Sequence, residues 1–147
     1  MISATVVRAA RRSSSQASYD KGAGVLSAEV DGSVGWKSGL DFNGKVLLDL
    51  DANFRLCNVD LVMPKTEWVK KSIPRCELKQ GSWDVRFTDD VLTNRSYEGE
   101  LDVTLFGSSV YVTFGTPKAI AMYPITTGLS ALIEDTDLVG FRFQLTG

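Results

Sequence analysis

The sequence predicts an all-β fold of antiparallel sheets, a sandwich or an open barrel, with at most one short helix. Two observations predict it. Apolar residues come in short runs separated by Gly, Asp, Asn and Ser, the pattern of strands and tight turns. Within several runs apolar and polar residues alternate, as a half-buried strand requires. Over residues 55–61 the alternation puts Cys57, Val59 and Leu61 on one face and Asn58 and Asp60 on the other. From Leu101 to Leu105 the odd positions are apolar. Strands are expected at 3–8, 24–30, 45–50, 54–62, 76–79, 83–87, 98–105, 109–114, 129–133 and 138–145.

Helix signals are few. Pro64 opens a stretch with an early Glu67 and late Lys70 and Lys71, ordered as the helix dipole favours, and Pro74 ends it. A second stretch at 89–94 is too short to form more than a turn. Residues 13–21 are polar and read as a linker or exposed arm. The length of 147 residues suits one domain, 1–147, able to bury roughly 70% of its unfolded surface. No apolar run approaches the roughly 18 residues of a membrane span. The N-terminus is Arg- and Ser-rich, a composition shared with organelle transit peptides, but residues 2–7 are expected to dock as a strand.

Two regions come into register at an offset of 84 residues: Leu26, Ala28 and Val30 fall on Val110, Val112 and Phe114, Gly44 on Gly128, Leu48 on Leu132 and Asp51 on Asp135. Removing two residues from the following turn matches Leu56, Val59 and Leu61 with Leu138, Phe141 and Phe143. The expectation is a duplicated strand-hairpin unit, with repeat-like halves at about 19–62 and 103–145 after a basic strand or arm at 1–18. One such sheet has an apolar face with nothing to bury it against, and a second copy supplies the partner.

The first copy reads Tyr19-Asp20-Lys21-Gly22-Ala23-Gly24-Val25-Leu26-Ser27, then Leu48-Asp49-Leu50-Asp51-Ala52-Asn53-Phe54-Arg55-Leu56-Cys57-Asn58-Val59-Asp60. It resembles a family of small bacterial β-rich domains of uncharacterised function. Their pattern is Tyr-Asp-x-x-x-Asp-x-Leu-Tyr, a spacer, then Val-Asp-x-Asp-x-x-Gly-x-x-x-Gly-Ile-Glu. The spacing agrees over about 43 residues, under a third of the chain. Gly24 and Ser27 stand where the pattern has Asp and Tyr, and Phe54 and Asn58 where it has Gly. In the second copy Tyr111 and Gly140 restore the Tyr and the second Gly. The resemblance implies a β fold and no established activity. Some relatives look like partners of toxin-like neighbours, which implies a partner-neutralising role.

The chain has no histidine, so Ser-His-Asp and Cys-His nucleophile arrangements are excluded, as is the commonest zinc ligand. No phosphate-binding Gly loop is present, since Lys21-Gly22-Ala23-Gly24 is short and precedes no helix pattern. Asp49 and Asp51 share a strand face, and Glu134, Asp135 and Asp137 form the matching cluster. Such carboxylates suit hard cations or acid–base work, but Asp and Asn are also what tight turns prefer. The calcium-loop spacing is not met. No catalytic residue, metal or cofactor is expected. The two cysteines, Cys57 and Cys76, read as thiols of a reducing compartment, here the cytoplasm, with their pairing left open.

Trp36, among Gly35, Lys37, Ser38 and Gly39, reads as an aromatic residue in a loop and so as a binding candidate. Asp49, Asp51, Glu134 and Asp135 join it. Arg8, Arg11 and Arg12 form a basic arm suited to an acidic partner surface. A net charge of −2 and the lack of interleaved aromatics give no reason to expect nucleic-acid binding. The expectation is a non-enzymatic protein-binding module of antitoxin or immunity type. The alternative is a structural subunit of a homo-oligomeric or particle assembly, whose strand edges would need covering.

Overall fold

Each of the ten stretches read as strands overlaps one, and further strands arise where the sequence signal is weak. A computed structural model describes residues 2–10, 13–32, 34–70, 73 and 75–146. In chain order the strands are β1 (Ile2–Ser3), β2 (Thr5–Arg8), β3 (Ala17–Asp20), β4 (Val25–Glu29), β5 (Trp36–Phe42), β6 (Val46–Asp51), β7 (Leu56–Val62), β8 (Cys76–Leu78), β9 (Trp83–Arg86), β10 (Ser96–Tyr97), β11 (Leu101–Phe106), β12 (Ser109–Phe114), β13 (Ile120–Pro124), β14 (Leu129–Glu134) and β15 (Asp137–Gln144). No helix of the described residues is long and apolar enough to cross a membrane.

Among the described residues the strands form two large sheets and a ribbon. The first sheet runs β10-β5-β6-β7-β4-β3 and the second β11-β12-β15-β14-β13-β8, with β1 added to β15. Their topologies correspond strand for strand. In each, a hairpin is followed by a three-stranded meander whose last strand pairs with the second strand of the hairpin. In each, a short strand from the connecting segment adds in parallel to the outer strand of the meander: β10 on β5, and β8 on β13. The sheets are therefore mixed and not purely antiparallel.

The pairing registers correct the offset read from sequence. Leu26 opposite Leu61 corresponds to Val110 opposite Phe143, and Ala28 opposite Val59 to Val112 opposite Phe141, as expected. Leu48, however, lies opposite Val59 as Ala131 lies opposite Phe141, so its counterpart is Ala131 and not Leu132. One residue is lost in each of two connections rather than two in one turn. Because side chains alternate, this single step moves Leu132 to the outer face. Gly44 and Gly128 consequently serve different ends. Gly44 sits in a turn at φ 64°, whereas a Cβ on Gly128 would lie 2.2 Å from the Ala17 amide nitrogen.

Both meanders carry a β-bulge at the same place. Asp49 faces Asn58 and Leu50 faces Leu56, which leaves Cys57 as the extra residue. Leu132 faces Gly140 and Ile133 faces Leu138, which leaves Val139 as the extra residue. The bulge explains why Leu56 is buried and Cys57 only half-buried, against the strict alternation read for 55–61.

Four other readings change. Residues 13–21 are not a free arm: Ser13 bridges Thr126, Ser15 O accepts from Gly128 N at 3.0 Å, and β3 begins at Ala17. Two thirds of this stretch is Ser, Gln and Ala, so its alternation leaves no hydrophobic trace. Trp36 opens β5 rather than sitting in a loop, and Leu40 and Phe42 point to the core beyond a bulge at 36–38. The helix read after Pro64 is one 3-10 turn, Lys65–Glu67. Trp68 then packs inward, with Nε1 donating to Met63 O at 3.0 Å, and Val69 bridges Thr104. Eight residues are too few for a helix to outweigh that burial. A second 3-10 turn covers Asp89–Leu92. Strand β13 is missing from the sequence reading because Pro124 closes it.

The main core lies between the two sheets. Leu26, Leu48, Leu50, Val59 and Leu61 meet Val110, Val112, Leu129, Phe141 and Phe143, all fully buried. Each such side chain contributes roughly 1.5–3 kcal/mol. β3 lies against the 126–128 turn at one end of the second sheet's strands, while Phe42 stacks on Phe114 at the other end, centroids 4.2 Å apart. The strands of the two sheets therefore cross steeply. The ribbon of β2 and β9 joins the two sheets, through β1 on β15 and through an Arg55–Arg86 bridge to the first.

Candidate functional site

The outer faces of the two sheets differ sharply. On the second, Tyr111, Ile120, Met122, Leu132 and Val139 form a buried apolar cluster of their own. The chain covers it. Val69 bridges the β11 edge, Ile73 packs on the cluster, and Cys76 begins β8 at the opposite edge.

Among the described residues the first sheet has no such cover. Across β4, β7, β6 and β5 its outer positions read Glu29, Asn58, Asp49, Gly39 in one row and Ser27, Asp60, Leu47, Asp41 in the next. Four carboxylates thus stand on one face, and apart from Lys37 these four strands carry no basic residue. Among the described residues none of the four carboxylates has an ion-pair partner. Ser27 Oγ donates to Asp60 Oδ1 at 2.5 Å, Ser96 Oγ to Asp41 Oδ1 at 3.3 Å and Asn58 Nδ2 to Asp49 Oδ2 at 3.5 Å.

Trp36 lies at the edge of this face with 68% of its surface exposed. Its Nε1 donates to Asp49 Oδ1 at 3.3 Å, which holds the indole against the sheet. Leu47, 36% exposed, stands between Asp60 and Asp41 in the second row, so an apolar side chain interrupts the carboxylates of this face. Sequence reasoning picked out Trp36 and Asp49 but missed Leu47, Asp41 and Asp60. Leu47 sits inside the apolar run 46–48, where nothing marks the middle residue as outward except the alternation itself.

The other predicted site residues are not brought to this face. Asp51 is 1% exposed. Its Oδ1 accepts from Asn53 N at 2.8 Å and Arg55 N at 3.0 Å, and its Oδ2 from Val34 N at 3.3 Å. It holds a turn whose Phe54 has φ 59°, where the resembled pattern has Gly. Glu134 lies on the other sheet. Its Oε2 accepts from Lys118 N and Ala119 N, both at 2.7 Å, and these bonds hold the carboxyl below its ordinary range. Asp135 is an exposed turn residue at φ 57°. The carboxylates therefore serve separate hairpins, and among the described residues no group of three or more metal ligands occurs.

Arg8 belongs to β2, with its guanidinium 4.6 Å from the centre of the Trp83 ring, and Trp83 meets Tyr123 edge to face at 5.0 Å. Arg11 and Arg12 lie outside the described residues. Cys57 and Cys76 are not joined. Burial pushes the Cys76 thiol up, with Arg142 pulling partly against it.

Two of the hollows among the described residues that lie elsewhere are near groups named above. One of about 370 Å³ opens among Phe42, Tyr97, Phe114, Leu138 and Glu134. The other, about 430 Å³, surrounds Arg55, whose Nε donates to Asp84 Oδ1 at 3.0 Å and whose Nη2 donates to Asp31 O at 2.6 Å. Ser13 and Ser15 each donate to the Asp31 carboxylate at 2.8 Å, so this polar network is occupied with holding the chain together. No family of known proteins matches the chain, and no curated protein matches it.

Proposed function

We propose that the chain is a non-enzymatic protein-binding module, of the partner-neutralising kind, that binds through the outer face of its first sheet. The observation that carries this reading is Trp36: a largely exposed indole held in place by a hydrogen bond to Asp49. Tryptophan is among the residues that dominate interface energetics. An anchor already held in one orientation loses little conformational freedom on binding. Leu47 extends the apolar contact, and the surrounding carboxylates supply orientation and selectivity.

We also propose that the two sheets descend from one duplicated unit. The shared strand order, the parallel sixth strand and the bulges at Cys57 and Val139 support it. On this view the copies have diverged on their outer faces, one covered by the chain itself and the other left for a partner.

The test compares tagged wild-type chain with Trp36→Ala in capture from the native host, followed by native mass spectrometry. Trp36→Ala is expected to leave stability within about 0.5 kcal/mol, as for an exposed side chain. It is expected to lose a partner that the wild type holds at fixed stoichiometry. Equal capture by both proteins would reject this face as the binding surface.

A further inference from the structure

The second sheet shows what such a face does when it is covered. Its outer row Thr113, Gly140, Leu132, Met122 corresponds, strand for strand, to Glu29, Asn58, Asp49, Gly39 in the first sheet. On the second sheet described residues of one connection reach both edges and the cluster between them: Val69 bridges Thr104, Ile73 is seated on the apolar cluster, and Cys76 opens β8. A face of this backbone shape thus accepts side chains from a connection that touches both of its edges.

On the first sheet the same platform is open, and its chemistry is changed. Where the cover meets Leu132, the open face has Asp49, and where the second sheet has Arg142 it has Asp60. Gly39, opposite Asp49, adds no side chain. A Cβ there would be in ordinary contact with Leu48 O at 3.5 Å and the Asp49 carboxylate at 3.7 Å, so the row ends on backbone beside Asp49. Strands stand about 4.8 Å apart, which places carboxylates two strands apart at roughly 10 Å. That is close to the spacing of residues i and i+3 on one face of a polyproline II segment, which turns once every three residues at about 3.1 Å per residue.

We infer that the outer face of the first sheet receives an extended, Lys- or Arg-bearing segment of a partner protein. The segment lies across β4 to β7, with its cations on Glu29, Asp49 and Asp60 and an apolar side chain against Trp36 and Leu47. The inference rests on the partner-binding reading and names the chemistry of what is bound. The observations behind it are the charge of the face and the covered counterpart on the second sheet.

The experiment is a nuclear magnetic resonance titration of the intact chain with capped twelve-residue peptides. One carries four lysines and a central leucine among Ser and Thr, the second has glutamates in place of the lysines, and a neutral oligosaccharide is the third probe. The Lys peptide is expected to move the Trp36 indole N–H and the amides of β4 to β7, saturably. Its affinity is expected to fall at least tenfold in Glu29→Gln/Asp49→Asn/Asp60→Asn, which keeps the side-chain shapes and the hydrogen bonds to Trp36 and Ser27. Shifts elsewhere on the surface, equal binding by the neutral variant, or binding of the Glu peptide or the oligosaccharide alone would overturn the inference. None of these would touch the capture result with Trp36→Ala, so the two readings fail separately.

Discussion

Gly128 and Ala17 meet backbone to backbone: a Cβ on Gly128 would lie 2.2 Å from the Ala17 amide nitrogen and 2.7 Å from the Gln16 carbonyl carbon. This contact seats the start of the first sheet on a turn of the second. Gly128→Ala is expected to destabilise the fold by about 1–3 kcal/mol, as overpacking does, because backbone and not a side chain must yield. Gly44→Ala is the control. It has open space around it and φ 64°, so it carries only the left-handed cost of about 1–2 kcal/mol per residue. Urea midpoints of the two variants check the order. A Gly128 variant as stable as the wild type would mean that residues 15–17 do not rest there.

Asp51 holds its turn through three backbone N–H groups. Asp51→Asn replaces one acceptor oxygen with a donor in a buried site where three backbone N–H groups converge. The expected loss is about 1–3 kcal/mol, the cost of an unsatisfied buried group. Partner binding per folded molecule is expected to stay unchanged. Chemical denaturation and a binding isotherm on the same variant separate the two quantities.

Glu134 gives a pH signature. Its folded carboxyl titrates below the ordinary value of 4.5 because the Ala119 and Lys118 amides favour the ionised form. A depressed pKa means that the contribution of this tether is fully present above the unfolded value and is lost as pH falls through the folded one. The side-chain carboxyl resonance is expected to titrate with a midpoint below 4.5. Release of the 118–119 amides should follow the same curve and vanish in Glu134→Gln. A midpoint at or above the ordinary value would remove the tether from the account.

Arg55 ties the β6–β7 turn to β9 and to the loop at Asp31. Its side chain and that of Asp84 are only 14% and 16% exposed. Arg55→Ala leaves Asp84 half-buried without its cation, at a cost of about 2–3 kcal/mol. Arg55→Ala with Asp84→Asn is expected to recover part of that loss. If the double variant is no better than the single one, the pairing contributes nothing and the packing of the Arg55 stem accounts for the effect.

The fold class and most strands were legible because alternation is a local property. Val110, Val112 and Phe114 announce their strand without any tertiary information. β3 and β5 were not legible, since Ala17, Ser38 and Gly39 are small and their burial depends on what the other sheet brings. The offset between the two halves was legible to within one residue, and that residue decided which face Leu132 occupies. At the site, Trp36 and Asp49 were found by residue type. Asp51 and Glu134 were grouped with them by type as well, but the register sets them off this face, where their carboxylates accept backbone N–H bonds. Leu47, Asp41 and Asp60 needed the sheet register, which joins residues that the sequence keeps apart.

The pairing of Ile2 with Leu138 sets an order of events during synthesis. Ile2 and Ser3 leave the ribosome long before β15, their hydrogen-bonding partner, has been made. Until then β1, and the cover over the second sheet, have nowhere to dock, and the apolar surfaces they protect do not yet exist as sheets. Such distant pairings slow folding, because a long loop must close before it is rewarded. Until β15 pairs, the apolar inner face of the first sheet lacks its partner, and incomplete states of this kind are prone to association.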